Sequence, residues 1–200
     1  MPASGISLAF ATNDQAEKPL TRIRAATPGD VPFLMDLKWQ MAVEERREDV
    51  VRASEVDWRR DAFGPQPRFS AFVAERQAMV VAMVTFNERY YAGWPGPTFV
   101  VQDLFVERAH RCSGIGRALL SKVAAHACEV NSPLIELVVH EDSPARGFYD
   151  KIGLQPVRQC LTYVLAGSPL RELSDFKSTE ARDLVDGARS FDPLDRDLVE

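Results

Sequence analysis

Two rhythms of apolar residues run along this chain, one of period two and one near period four. Residues 20–25 alternate apolar and polar positions and read as a first strand. Thr27-Pro28-Gly29-Asp30 then has the makings of a helix entry, with Pro in the first turn and an acid three residues after the Thr. Leu34, Leu37, Met41 and Trp39 supply the apolar side of that helix. It closes in the charged run of residues 44–49, which reads as a solvated helix end. Ser54-Glu55-Val56-Asp57 opens a second helix that Gly64 beside Pro65 ends. Residues 69–75 and 78–86 predict two antiparallel strands around Arg76-Gln77, and residues 91–97 form a turn-rich link.

The second half changes character, with strands alternating with helices. Residues 99–106 are rich in β-branched and aromatic side chains and predict a strand. Residues 115–130 predict a helix in which Ile115, Leu119, Val123 and Ala127 recur every four positions, giving one buried face. Asn131-Ser132-Pro133 breaks it. Residues 134–140 are nearly all apolar, as in a strand covered on both faces. Ser143-Pro144 opens a short helix that stops at Gly153, and residues 157–165 can form a last strand. Residues 1–19 lack periodicity and read as a loose N-terminal arm. The body spans residues 20–166, and residues 167–200 form an acidic extension in which Leu173, Phe176, Leu184, Val185 and Phe191 allow a helix.

Composition narrows the class. The chain has 200 residues, 46% hydrophobic and 26% charged, ordinary values for one globular domain. Its net charge of −5 gives no broad footprint for nucleic acid, and most of that charge lies in residues 167–200, with nine acids against five bases. Cys112, Cys128 and Cys160 are odd in number and lack paired metal spacing, so free thiols in a reducing compartment are expected and no metal. No run approaches membrane-spanning length, which points to a cytoplasmic protein.

The candidate chemistry sits between the strand 99–106 and the helix after it, in Arg111-Cys112-Ser113-Gly114-Ile115-Gly116. Glycines let main-chain N–H groups approach a ligand, and a helix start adds unpaired donors and partial positive charge. The loop suits a phosphate-bearing cofactor. It lacks the Gly-Lys-Ser/Thr ending of a P-loop and the three-glycine spacing of a dinucleotide fingerprint, and an ordinary strand-to-helix turn is the plain alternative. Cys112 reads as a small filler rather than a nucleophile, because only His110 stands near it as a base.

With a second segment added, Ser143-Pro144-Ala145-Arg146-Gly147-Phe148-Tyr149 before Lys151-Ile152-Gly153-Leu154, residues 20–165 resemble the GNAT superfamily of acetyl-CoA-dependent N-acetyltransferases. The order Asp61-Ala62-Phe63-Gly64, Phe72-Val73-Ala74-Glu75, Trp94-x-Gly96 and Asp103-Leu104-Phe105-Val106 is similar to the diamine, polyamine and thialysine branch. Two acids common in that branch are absent, since Gln102 precedes Asp103 and Ala92 stands two residues before Trp94. Both changes remove carboxylates that could hold a polycation. Asp142 stands where the family often has an Asn, and an acid is a poor neighbour for a phosphorylated coenzyme.

The resemblance implies an α/β fold, a mixed and mostly antiparallel central sheet flanked by helices, with splayed central strands. It implies that the main chain of Phe105 and Val106 pairs with the pantetheine arm of acetyl-CoA. Arg111, Cys112, Ser113, Gly114, Ile115 and Gly116 surround its pyrophosphate, with Phe148 beside them. Tyr149 donates to the departing thiolate and Asp103 holds or deprotonates the amine. Trp94, Glu45 and Gln102 line the acceptor side, where Trp94 offers a cation–π wall. Ordinary structural roles stay open for each: a core Tyr149, an Asp103 paired with a base, a solvated Glu45, a turn-anchoring Trp94. His140, at the end of the apolar strand, is an alternative base, though a surface or core His is the simpler reading. The expected partner is a small-molecule amine, with a homodimer as a family trait and neither nucleic acid nor membrane. Acetylation of a protein lysine or N-terminus, or a non-catalytic acetyl-CoA sensor, are the rival functions.

Overall fold

The computed structural model describes residues 20–90, 92–157 and 166–174. The chain divides into two units, Met1–Leu154 and Gln155–Glu200. The first holds a five-stranded open sheet in the order β1 to β5: Thr21–Ala25, Ser70–Arg76, Met79–Tyr90, Pro97–Val106 and Ile135–Leu137. The first four strands are antiparallel neighbours, and β5 joins β4 in parallel. The expected mixed, mostly antiparallel sheet is therefore present. Among the described residues of the second unit, Ser168–Ser174 forms one short helix, α5, with Leu170 and Leu173 exposed. Of the expected strand 157–165 only Val157 is described, exposed and outside any strand, while the rest of it, the arm 1–19 and Phe176, Leu184, Val185 and Phe191 lie outside the described residues.

Helix α1 (Val31–Glu45) is entered through a capping box in which Thr27 and Asp30 reciprocate, as the sequence predicts. Helix α2 (Glu55–Phe63) starts at a second capping box, Ser54 with Asp57. Their apolar sides cover one face of the sheet, where Val31, Leu34, Leu37 and Trp58 meet Ala71, Val73, Met83 and Phe105. Trp39 does not join them and is 49% exposed. It lies two residues beyond Leu37, about 200° round the helix, which turns it away from the sheet.

Helix α3 (Ile115–Glu129) covers the opposite face, with Ile115, Leu119, Val123 and Ala127 all buried against Val84, Phe86, Phe99 and Val101. The four-residue repeat read from the sequence is thus the buried face. Helix α4 (Arg146–Ile152) adds Phe148, Tyr149 and Ile152 to this same core. It starts three residues after Ser143 and ends at Gly153.

Two features depart from the sequence reading. β3 runs on to Tyr90, four residues beyond the expected end, because β4 also starts early, at Pro97, and the two strands pair to Tyr90↔Pro97. β5 spans three residues instead of seven, and Val138 beyond it is fully solvent-facing at 86% exposure. The expectation of a strand buried on both faces fails there. Its pairing with β4 stops at Val101↔Leu137, next to a bulge that leaves Gln102 without a partner on β3.

The entrance to α1 is pinned by charge. Both Arg24 Nη atoms donate to the two oxygens of Asp30, at 2.7 and 2.8 Å, and its Nε donates to Glu75 at 2.8 Å, which ties β1, α1 and β2 together. The guanidinium lowers the Asp30 carboxyl from 3.8 to about 2. A depressed carboxyl contributes stability above its unfolded pKa and loses it as pH falls through its folded one, a contribution of about 2 kcal/mol here. Asp30→Asn is expected to cost about 2 kcal/mol at pH 7 in urea unfolding, with the gap to wild type closing between pH 4 and pH 2. A gap unchanged by pH contradicts this linkage.

Candidate active site

The bulge at Gln102 shifts the inside-outside alternation of β4. Phe99 and Val101 face α3 before it, and Leu104 and Val106 do so after it. Asp103 and Phe105 therefore turn to the α1 side. Past Val101 the strand has β3 on one side and, among the described residues, no strand on the other. This is the splay between central strands that the family resemblance implies.

The glycine loop lies just beyond this free edge. A 3-10 turn at Arg108–His110 leads into it, Cys112 and Gly114 sit at φ of 57° and 88°, and α3 begins at Ile115. The left-handed turn at Gly114 suits glycine because a Cβ there would crowd the backbone. Ala118 N–H makes the first bond of α3, to Gly114 O at 3.0 Å. The six main-chain amides of residues 112–117 donate to no other group among the described residues. Ser113 Oγ donates to His110 O at 2.6 Å and braces the loop from within. Cys112 and Cys128 are free and exposed, and Cys160 lies outside the described residues.

Phe148 packs directly on the loop. A Cβ on Gly116 would stand 3.4 Å from its Cζ, in contact with the ring, so atoms beyond a Cβ at 116 would press on it. The adjacent Tyr149 ring lies 5.3 Å from that of Phe148. Burial, and then the negative charge of Glu45, push the Tyr149 phenol above its ordinary 10.0. Tyr149 is thus a protonated donor at neutral pH. Glu45, at the C-terminal end of α1, is close enough to be felt by it.

Asp103 is paired, and its partner escapes a reading of the sequence. Lys38 Nζ on α1 donates to Oδ1 at 2.6 Å and Thr85 Oγ1 donates to Oδ2 at 2.8 Å, with the Asp103 side chain 11% exposed. Gln102 is exposed, and its Nε2 donates to Asn87 Oδ1 at 2.7 Å. His140 Nε2 lies 2.9 Å from Arg47 Nη1. A guanidinium only donates, so this contact occupies the lone pair that a base would need.

The structure gathers Phe105, Val106, residues 111–116, Phe148, Tyr149 and Glu45 at one end of the sheet. Asp103 and Gln102 stand a few residues back along β4. Trp94 is not among them. It lies in the β3–β4 turn, 49% exposed, at the start of a strand whose ten residues carry Val106 about 30 Å away. Among the described residues no cluster of three His, Cys, Asp or Glu gathers as a metal site, and no helix is long and apolar enough to cross a membrane.

Comparison with known proteins adds the chemistry. The profile of the acetyltransferase (GNAT) family matches residues 31–154. A thialysine N-epsilon-acetyltransferase of Mus musculus is 28% identical over 165 residues, covering 77% of this chain and 97% of that protein. An L-ornithine N5-acetyltransferase of Arabidopsis thaliana is 24% identical over 208 residues, covering 81% and 91%. In fold, an integron cassette protein from the mobile metagenome of V. cholerae superimposes with a TM-score of 0.63 at 22% identity, covering 78% of this chain and 98% of that one. An aminoglycoside acetyltransferase from an uncultured soil sample superimposes equally well, with a TM-score of 0.63 at 16% identity and coverage of 74% and 96%. The matched profile takes in the splayed strand, the glycine loop and the Phe148-Tyr149 helix, and the chain belongs to the GNAT family of acetyltransferases.

Proposed function

We propose that this acetyltransferase moves an acetyl group from acetyl-CoA directly to the primary amine of a small cationic or amino-acid-like acceptor. The observation that carries the reading is the row of six main-chain donors at residues 112–117 that have no acceptor among the described residues, next to the free edge of β4. Such donors at a helix start favour a diphosphate by direct hydrogen bonding and by partial positive charge. Arg111, Cys112, Ser113, Gly114, Ile115 and Gly116 would hold that group through main-chain atoms, with the Phe148 ring beside Gly116. The backbone edge at Phe105 and Val106 fits an amide-bearing arm at the groups that β3 leaves unpaired, apart from Val106 O, which already accepts from Arg111 Nε. When bound, acetyl-CoA supplies the acetyl group as a reactive thioester.

The acid is Tyr149. Its raised pKa keeps the phenolic proton available for the departing sulfur. The acceptor amine must arrive neutral, although an alkyl ammonium has a pKa of about 10.4, so a carboxylate or a water chain must take its proton. Both oxygens of Asp103 already accept, from Lys38 and from Thr85, so the side chain is engaged within the protein. Glu45 has no ion-pair partner among the described residues, and its charge is felt at Tyr149, so it is the better anchor for a cationic acceptor. Relatives named for thialysine and ornithine support an amino-acid side-chain amine as the acceptor. The absence of the two branch acids, at Gln102 and Ala92, agrees with that preference.

Two variants test the reading. Gly116→Val drives a branched side chain into Phe148, and acetyl-CoA affinity by calorimetry is expected to fall at least about tenfold. Unchanged affinity removes the loop from coenzyme binding. Tyr149→Phe is expected to lower kcat for thiol release by about 10²-fold, the scale of one lost general acid, while acetyl-CoA affinity stays within about threefold. The fall in rate above pH 10 is expected to vanish with it. Equal rates for variant and wild type take the acid role from Tyr149.

A further inference from the structure

Arg111 is the first residue of the coenzyme loop, and three separate contacts fix its side chain. Nε donates to Val106 O at 2.8 Å. Nη2 bridges both carboxylate oxygens of Glu44, at 2.9 and 2.7 Å. The guanidinium lies over the Phe105 ring, 5.3 Å from its centroid. Two of these contacts come from β4 itself. The third comes from the last turn of α1, which is 67 residues away in sequence.

The loop needs such a brace. Cys112, next to Arg111, has a left-handed backbone that disfavours any residue with a Cβ, and the amides of residues 112–117 have no partner among the described residues. A loop in that state binds tightly only if it is ordered before the ligand arrives, because ordering it during binding subtracts from affinity. Arg111 to Val106 fixes the loop to its own strand. Arg111 to Glu44 fixes it to the last turn of α1, next to Glu45.

We infer that Glu44 is a positioning residue for the coenzyme, which holds the residue 111–116 loop in its binding shape through the Arg111 guanidinium. This rests on the acetyl-CoA reading above. Glu44 lies outside the loop and reaches it through the Arg111 guanidinium. Its effect is therefore confined to coenzyme affinity and passes entirely through Arg111.

A double-mutant cycle tests this by calorimetry with acetyl-CoA and by steady-state kinetics with thialysine. Glu44→Gln keeps the side-chain size and removes the charge at an exposed helix end, so the fold is retained. It is expected to weaken acetyl-CoA binding about threefold to tenfold, the scale of a charge-assisted surface contact, and to raise the KM for acetyl-CoA likewise. The acceptor KM and kcat at saturating coenzyme stay within about twofold. In an Arg111→Ala background the same change is expected to add nothing. If wild type binds acetyl-CoA and Glu44→Gln binds it equally well, the inference about Glu44 is wrong while the functional reading stands. A Glu44→Gln effect that persists in the Arg111→Ala background, or that falls on the acceptor KM, also overturns it. If wild type fails to bind acetyl-CoA, the functional reading fails, and this inference falls with it.

Discussion

The site depends on one constraint of the sheet: β4 keeps β3 along its whole length but loses β5 after Val101. Main-chain hydrogen-bonding groups left without a partner are costly when buried, so a strand edge of this kind must meet water, side chains or a ligand. Here it opens beside the glycine loop. Val106 O is taken by Arg111, and the Glu107 amide donates to Val81 O at 3.0 Å. The His110 and Arg111 amides are bonded within the turn, and those of residues 112–117 have no acceptor among the described residues. Everything proposed about coenzyme binding follows from an edge and a loop that the fold itself does not satisfy.

Around that edge, α1 acts as a strut. Leu34 and Leu37 seat it on the sheet, and its polar side reaches three other elements. Lys38 neutralises Asp103 on β4, Glu44 engages Arg111 at the loop, and Glu45 raises the proton affinity of Tyr149 on α4. The charged run that closes α1 is therefore only partly a solvated helix end. Two of its acids work toward the site, one by geometry and one by field. The bulge at Gln102 makes this possible, because it turns Asp103 from the α3 side of the sheet to the α1 side.

Much of this was legible in the sequence for simple reasons. Capping residues and four-residue repeats act within a few positions, so Thr27 with Asp30 and the Ile115 to Ala127 stripe could be read directly. The glycine loop was legible because the positive φ at Gly114 favours a particular residue type. Pairings between distant positions left no local mark. Lys38 with Asp103, 65 residues apart, looks like any lysine on any helix. The bulge falls on a glutamine, which carries none of the usual bulge signals. Trp94 was misleading because it precedes β4 in sequence, while the strand itself separates it from the loop. The truncated β5 was missed because apolar content alone does not say how far a neighbouring strand stays beside it.

The most direct test of the central claim is amide hydrogen exchange across residues 107–120, with and without acetyl-CoA. Fast exchange at residues 112–117 in the free protein, with marked slowing at Gly114, Ile115, Gly116 and Arg117 when acetyl-CoA is added, is the predicted result. Slow exchange there in the free protein, or no change while acetyl-CoA is bound, would contradict the claim that these donors hold the coenzyme.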